Sequence, residues 1–486
     1  MLLRIISFFE VSRMPISSTT QTTQSPHAYI EANRADYLAD LQAFLRIPSI
    51  STLPMHQEDM ERAAWFVAEQ LNMAGMEQTR LIPMGGHPLV AGEWLHAPGK
   101  PTILIYGHYD VQPVDPIDKW HSPPFEPTIR DGKIYARGAT DDKGQLLAMI
   151  EGVKALMTAT GKLPVNVRFL IEGEEENGGE SIERYVREHA AEIPCDAVLI
   201  ADSHMLGPGL PTILYGVRGI LFTEIIARGA VHDLHSGTYG GVAPNPLHAL
   251  ALIIAGLKGK DGKIKIPGLY EMAQPVTEEE RSWWAKYPGD PAQRLQHEMG
   301  VSLFPGEKDY STIERQAARP TLEVHGFIGG FQDEGAKTVI PAEARVKVSL
   351  RLVPDQTPEK VLALLEKRVA KLAPEGVAVE VRLIHGGLGM VVDVHNPYIA
   401  AASKALAEEF GHRGTYFLRE GGSVPIAALF DSILHAPIVF AGYGLADEGL
   451  HAPDEHFDLE NFYHGIHGTV RFLEHAATIK GANHAK

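Results

Sequence analysis

Between residues 100 and 200 the chain alternates short, uninterrupted apolar runs with longer segments of helical spacing. TILIY (102–106), NVRFLI (166–171) and DAVLI (196–200) are short, continuous and rich in β-branched residues, so they predict strands buried on both faces. QLLAMIEGVKALMTA (145–159) and ESIERYVREHAAE (180–192) carry the apolar period of helices. So do residues 31–46 and 58–73, where Ala63, Ala64, Phe66, Val67 and Leu71 recur on one side. Strands alternating with helices predict an α/β fold with a central, mostly parallel sheet covered on both faces. From about residue 213 the texture changes. GILFTEIIARGA, PTLEVHGFIGG, EARVKVSLRLVP and GVAVEVRLIHGG alternate like strands of a half-exposed sheet, with helical segments at 246–257 and 357–371. After Pro397 a helix (398–410) and the strand PIVFAG restore the first texture. The pattern predicts one α/β domain (31–212 and 396–486) interrupted by an inserted α+β domain (213–395), behind a disordered leader (1–30).

Composition narrows the function classes. A hydrophobic content of 44% with 22% charged residues is that of a folded globular chain. The net charge of -17 opposes non-specific binding to nucleic acid or to an anionic membrane. A single cysteine, Cys195, excludes an intramolecular disulfide and a Cys-rich zinc module. The opening MLLRIISFFEVSRM is a poor signal peptide, interrupted by Arg4 and Glu10 and followed by the polar stretch SSTTQTTQS (17–25). With no window apolar enough to span a bilayer, the expectation is a cytoplasmic protein without membrane contact.

The charged residues then change the picture. EGEEENGG follows the second strand, and such an acidic run taken alone is a solvated turn. Yet TILIYG is followed by His108 and Asp110, and DAVLIA by Asp202. In an open parallel sheet, ligands bind outside the carboxyl ends of the strands. Three strands therefore deliver His108, Asp110, Glu175, Glu176 and Asp202 to one edge. RGATDDKGQ (137–145) adds Asp141 and Asp142 just before a helix; Asp142 suits the helix N-terminus, which leaves Asp141 free. GLADEGLHAPDEH (444–456) adds His451 and His456. Two divalent cations would relieve the repulsion, with one carboxylate and a hydroxide shared between metals about 3.5–4 Å apart. Two histidines among the ligands favour zinc, with manganese or cobalt as alternatives.

GHYDVQP, RGATDDKG, EGEEENGG, DLHSG, KTVIP, SLRLVP and REGGSVP occur in the order of a known family. From about residue 35 to 475 the chain resembles the dinuclear-zinc metallopeptidases that include aminoacylases, carboxypeptidase G and carnosinases. Within them it is most similar to the cytosolic non-specific dipeptidase/carnosinase branch. The resemblance implies that His108 and Asp202 hold one zinc, Glu176 and His451 the other, and that Asp141 bridges both across a cis Asp141–Asp142 peptide. Asp110 would orient His108, and Glu175 would be the general base. Glu172 and Glu174 match no ligand, and Lys143 is read as a structural prop for its loop. In the inserted lid and dimerisation domain, His235 would polarise the scissile carbonyl and Thr338 would join it, both reaching the partner's site in a homodimer. Arg351 would clamp the substrate's C-terminal carboxylate, with Ser423 and His385 as further substrate contacts. His204, His325 and His456 receive no role, and residues 268–318, with Trp283 and Trp284, are read as packing or dimer rim.

The resemblance implies hydrolysis of the amide bond of dipeptides or very short peptides with a free C-terminus, by a zinc-bridged hydroxide with Glu175 as its base. An N-acyl, carbamoyl or succinyl amino-acid amidohydrolase of the same family is the alternative. A catalytically dead binding protein is a third reading, opposed by the complete set of ligand positions.

Overall fold

The computed structural model describes residues 24–302, 306–422 and 424–481. Its largest sheet has nine strands. At the centre, Thr102–His108 lies parallel between Asn166–Glu172 and Ala197–Ile200, and Ile438–Phe440 continues parallel beyond Ala197–Ile200. The flanks are antiparallel: Leu89–Trp94 and Glu77–Ile82 on one side, Thr212–Val217 and Met390–Val391 on the other. The ninth strand, Tyr416–Glu420, adds a further parallel pairing, with Thr212–Val217. Lys143–Thr160 and Glu180–His189 carry the chain back to the start of the sheet, so each central strand ends at the same edge. Ile103, Leu104, Ile105 and Tyr106 are fully buried, each apolar side chain contributing about 2 kcal/mol to the fold.

Helix Lys143–Thr160 packs against Leu459–Ala476. At Gly152 a Cβ would lie 2.8 Å from the carbonyl oxygen of Ile466, so the helices meet at backbone distance only with glycine there. Ordered structure reaches into the stretch expected to be leader. The helix Pro26–Ala32 starts with Pro26 in its first turn, Ser25 accepts the amide of Ala28, and Ile30 is buried. The rest of the expected leader, residues 1–23, lies outside the described residues.

The inserted unit is a four-stranded antiparallel sheet in the order Thr321–Gly329, Glu343–Leu352, Gly219–Arg228, Ala378–Gly387. Helices Pro246–Leu257 and Pro358–Leu372 cover one face, over a core that includes Leu221, Ile225, Leu250, Ile253, Val348 and Leu365. This core is separate from that of the large sheet. On the open face Phe222 stacks between His325 and His385, with ring centroids 5.2 and 5.4 Å apart. The two crossings between the units touch. A Cβ on Gly219 would lie 2.5 Å from the Gly387 carbonyl oxygen and 2.6 Å from the Gly389 nitrogen.

Part of residues 268–318 folds back onto the large sheet. Val276, Trp284 and Tyr287 are buried with Tyr215, and Trp283 meets Tyr215 edge-on at 5.5 Å. Glu280, 4% exposed, pairs with Arg419 and accepts the Tyr215 hydroxyl at 3.0 Å. Both tryptophans are packing residues here. Among the described residues no helix is long and apolar enough to cross a membrane.

Candidate metal centre

His108 is the last residue of a wholly buried strand, and its ring is held on both nitrogens. Nδ1 lies 3.1 Å from the carbonyl oxygen of Asp110 and 3.3 Å from its carboxylate. Nε2 lies 3.2 Å from Asp141 Oδ1 and 3.8 Å from Asp202 Oδ2. On the other side of Asp141, Oδ2 is 2.9 Å from His451 Nε2, which is 3.4 Å from Glu176 Oε1. Each oxygen of Asp141 thus faces a different imidazole. Two groups emerge that can each hold a cation: His108, Asp141 and Asp202, and Asp141, Glu176 and His451. In each, one ligand atom per residue lies within 4.8 Å of the others. The Asp141–Asp142 peptide is cis, and His451 adopts φ of 60°, in the sparsely populated left-handed region.

Asp110 does more than face His108. Its carboxylate accepts the amides of Glu175 and Glu176 at 3.2 and 3.1 Å and the Ser51 hydroxyl at 2.7 Å. One buried carboxylate therefore fixes both the imidazole and the acidic turn. Glu175 lines a cavity of about 220 Å³ together with Asp141, Asp202 and His451. Gln112 donates to Glu176 at 2.7 Å. The other two glutamates of the run point inward. Glu172 accepts the Tyr106 hydroxyl at 2.6 Å, while Glu174 accepts the amides of His87 and Ser181 at 2.7 and 3.0 Å.

The electrostatics show what this crowding costs. Burial, with Asp141 next, pushes Asp202 up to about 7. Burial also raises Glu175 well above the carboxylate range, reinforced by Asp202 and Glu176. Hydrogen bonds donated to the carboxylates of Asp141 and Glu176 push His451 up to about 10. His108 is raised too, because Asp110 and Asp141 outweigh its burial. Carboxylates that resist ionising beside imidazoles that hold protons form a site short of positive charge. The nitrogen and oxygen donors fit two divalent cations of the zinc type.

Asp142 stands at the expected helix N-terminus, that of Lys143–Thr160, but does not play the expected capping role: its side chain makes no cap. Its Oδ2 accepts the backbone amide of His108 at 3.2 Å instead, because the turn brings it under the end of the central strand. Lys143 props the loop by donating to the carbonyls of Ile47 and Phe44 at 2.6 and 3.3 Å.

Two further carboxylates were not singled out by sequence reasoning. Glu455 accepts Arg137 and Gly138 on one oxygen, both at 2.8 Å, and the amides of Thr140 and Asp141 on the other, at 3.1 and 3.2 Å. Glu448 accepts the Thr140 hydroxyl at 2.7 Å and the Leu445 amide at 2.8 Å. They tie the Asp141 loop to the His451 loop. The only signal was their position in GLADEGLHAPDEH, the segment that carries His451.

The candidates of the inserted unit fall into two places. His235 and Thr338 are exposed and adjacent, joined where Leu234–His235 pairs with Val339–Ile340 and Ser236 donates to the Thr338 carbonyl at 3.1 Å. Neither lines the metal cavity. Arg351 lines a second cavity of about 460 Å³, which shares His204, Glu420 and Gly422 with the first. His385 lies on the open sheet face, in the stack with Phe222. Ser423 lies outside the described residues.

The sequence model of peptidase family M20/M25/M40 matches residues 104–475. The chain is 32% identical over 467 residues to the Cys-Gly metallodipeptidase of Saccharomyces cerevisiae, covering 92% of this chain and 96% of that one. It is 29% identical over 461 residues to the Beta-Ala-His dipeptidase of Rattus norvegicus, covering 91% and 93%. Among solved structures, an M20 family metallo-carboxypeptidase from Sulfolobus solfataricus superposes with a TM-score of 0.82 at 33% identity, over 91% of this chain and all of that one.

Proposed function

The chain belongs to peptidase family M20/M25/M40, and from that premise we propose that it is a metal-dependent dipeptidase. Its substrates on this reading are dipeptides or very short peptides with a free C-terminal carboxylate. The observation that carries the reading is Asp141, whose two oxygens face His108 on one side and His451 on the other. His108 and Asp202 would hold one cation, Glu176 and His451 the second, and Asp141 both. When bound, two such ions, zinc with manganese or cobalt as alternatives, supply Lewis acidity and a water acidic enough to ionise near neutral pH.

The remaining chemistry belongs to the chain. Glu175, on the wall of the metal cavity, takes a proton from the attacking water and returns it to the leaving nitrogen. Asp110 holds Glu175 in place through the Glu175 amide. Arg351 receives the C-terminal carboxylate in the neighbouring cavity, a task suited to the planar fork of a guanidinium. His385, near enough to Arg351 for the two to interact electrostatically, is a further candidate contact, as Ser423 is on the family resemblance alone.

His235 is assigned to the oxyanion, donated across a homodimer with Thr338 beside it. Its Nδ1 accepts the amides of Gly237 and Thr238 at 3.1 and 3.2 Å, which places the proton of the neutral ring on Nε2. An outward N–H donor is what a developing oxyanion needs. The two separate cores support a catalytic domain (31–212 and 396–486) interrupted by an inserted lid (213–395), with the bounds drawn in, because Thr212–Val217 and Met390–Val391 belong to the large sheet.

Purified enzyme assayed with and without added Zn²⁺ or Mn²⁺, on dipeptides, a tripeptide and N-acetyl amino acids, tests the reading. Metal-dependent cleavage of dipeptides with little on the acetylated set is expected. Preference for the acetylated set would keep the metal chemistry and move the enzyme to the amidohydrolases.

A further inference from the structure

The cavity beside the metal cavity is larger than a small leaving residue requires, and its far wall is basic. It measures about 460 Å³ against about 220 Å³ for the metal cavity, and Arg218, Arg294, Arg351 and Arg419 line it. Arg218 reaches it from the crossing between the two units. It sits between the strands Thr212–Val217 and Gly219–Arg228, and Ile220, two residues on, pairs with Arg351. That register brings two guanidiniums from separate strands to one wall.

Resting on the dipeptidase reading, we propose that this cavity selects peptides whose C-terminal residue has an acidic side chain, with Arg218 as the group that reads the second carboxylate. Arg218 is 8% exposed, yet among the described residues its hydrogen bonds run to backbone carbonyls, those of Gly421 at 3.0 Å and Arg319 at 3.1 Å. Among the described residues no carboxylate pairs with it. Arg419, on the same wall, is paired with Glu280. Glu420 lies 3.7 Å from His204, and both sit where the two cavities join. The lining is therefore acidic near the metals and cationic away from them. Burial and the charge of Arg351 push Arg218 down to about 10, which leaves it cationic at neutral pH. Arg218, buried, and Arg351, half-buried, present like charges to one wall, which favours an anion placed against both. A glutamate or aspartate leaving residue offers one carboxylate to Arg351 and a second to Arg218.

Arg218 also clasps Gly421 and Arg319 at the crossing, so the test must separate charge selection from support. The full-length, metal-loaded enzyme is assayed on Ala-Glu, on its neutral isostere Ala-Gln and on Ala-Gly. The expected result is a kcat/KM for Ala-Glu about tenfold or more above Ala-Gln, the size of one charge-assisted hydrogen bond. In R218Q the loss should fall on Ala-Glu about tenfold more than on Ala-Gln, with R218K between. Equal rates on Ala-Glu and Ala-Gln in the unmutated enzyme overturn the proposal without any variant. An equal loss on all three substrates in R218Q also overturns it, reducing Arg218 to a clasp. If no dipeptide is cleaved, the dipeptidase reading fails separately. Calorimetric binding of free L-glutamate against L-glutamine then decides the cavity alone, and equal binding overturns the proposal.

Discussion

The rim of the large sheet and the small ribbon of the inserted unit each present a histidine, and they hold it in opposite ways. At the rim, His108 is fully buried and both ring nitrogens face Asp110, Asp141 or Asp202. On the ribbon, His235 is exposed, with only Nδ1 engaged, by two backbone amides. A buried charged cluster must find its counter-charges within its own fold or lose stability. An exposed imidazole carries no such requirement. It can be held ready for a group that another subunit supplies. The rim gathers its charged groups within one chain; the ribbon leaves a donor in the open, as the proposed exchange across a homodimer requires.

The sharpest way to break this contrast is at the base. In E175Q the side chain keeps its size and loses only its capacity to accept a proton. Turnover should fall by about a thousandfold while metal content stays unchanged. Elemental analysis of the purified variant alongside kcat checks both halves. Loss of metal together with activity would move Glu175 among the ligands and redraw the rim.

The next effect tests the ribbon. H235A should lose on the order of a hundredfold in kcat, as expected for one oxyanion donor. If His235 acts on the partner's site, mixing H235A and E175Q subunits restores activity, because one site in each mixed dimer is then complete. Random exchange gives about a quarter of the unmutated rate. Two dead variants that stay dead after verified exchange would show that His235 works in its own chain or not at all.

The same contrast explains which parts were legible in the sequence. The rim could be read because continuous apolar strands end abruptly in His108, Glu172 and Asp202, and parallel topology sends those ends to one edge. The antiparallel flanks were less visible, since pairing direction is set by connections between distant segments. Glu174 reads from the sequence as structural or solvated, and only the fold, which draws it inward onto the amides of His87 and Ser181, decides for the structural role. Glu280 and Arg419 pair across a long stretch of chain, so nothing local showed why residues 268–318 return to the large sheet. Arg218 was passed over for a related reason. Its neighbours Gly421 and Arg319 come together only through the crossing between the units.

A smaller effect is expected where one carboxylate ties the ligand loops together. E455Q should replace an acceptor with a donor opposite one of the two donor pairs now facing Glu455, Arg137 with the Gly138 amide or the amides of Thr140 and Asp141. Apparent metal affinity should drop by about 10- to 100-fold, as is usual for groups that orient ligands, while substrate KM at saturating metal changes little. Titration against a competing chelator measures it. Unchanged affinity would mean that the Asp141 loop keeps its shape without this tie, and that the rim is more rigid than its hydrogen bonds imply.

The smallest effect sharpens the comparison from outside both regions. His27, on the first helix, is half-buried against the last, with Nδ1 2.7 Å from Nδ1 of His467. Its surroundings reverse those of the rim histidines. His451 is raised to about 10 by carboxylates, whereas burial, then Arg471 and His467, lower His27 to about 4 against the weaker pull of Glu409. Glu31, on the same helix as His27, is engaged by His467 Nε2 at 2.8 Å. The unfolded chain protonates His27 near pH 6.5, while the folded protein resists until about 4. Between those values the unfolded state binds more protons, so stability contributed by neutral His27 is present above pH 6.5 and is lost as pH falls towards 4. After discounting for solvent screening, the contribution is about 1 kcal/mol. Melting curves of metal-free protein and of H27Q at pH 7.5, 6 and 4.5 should converge as pH drops, because the rim carboxylates titrate alike in both. Parallel curves would show that His27 and His467 share a proton across their short contact, and that burial alone does not set the sign.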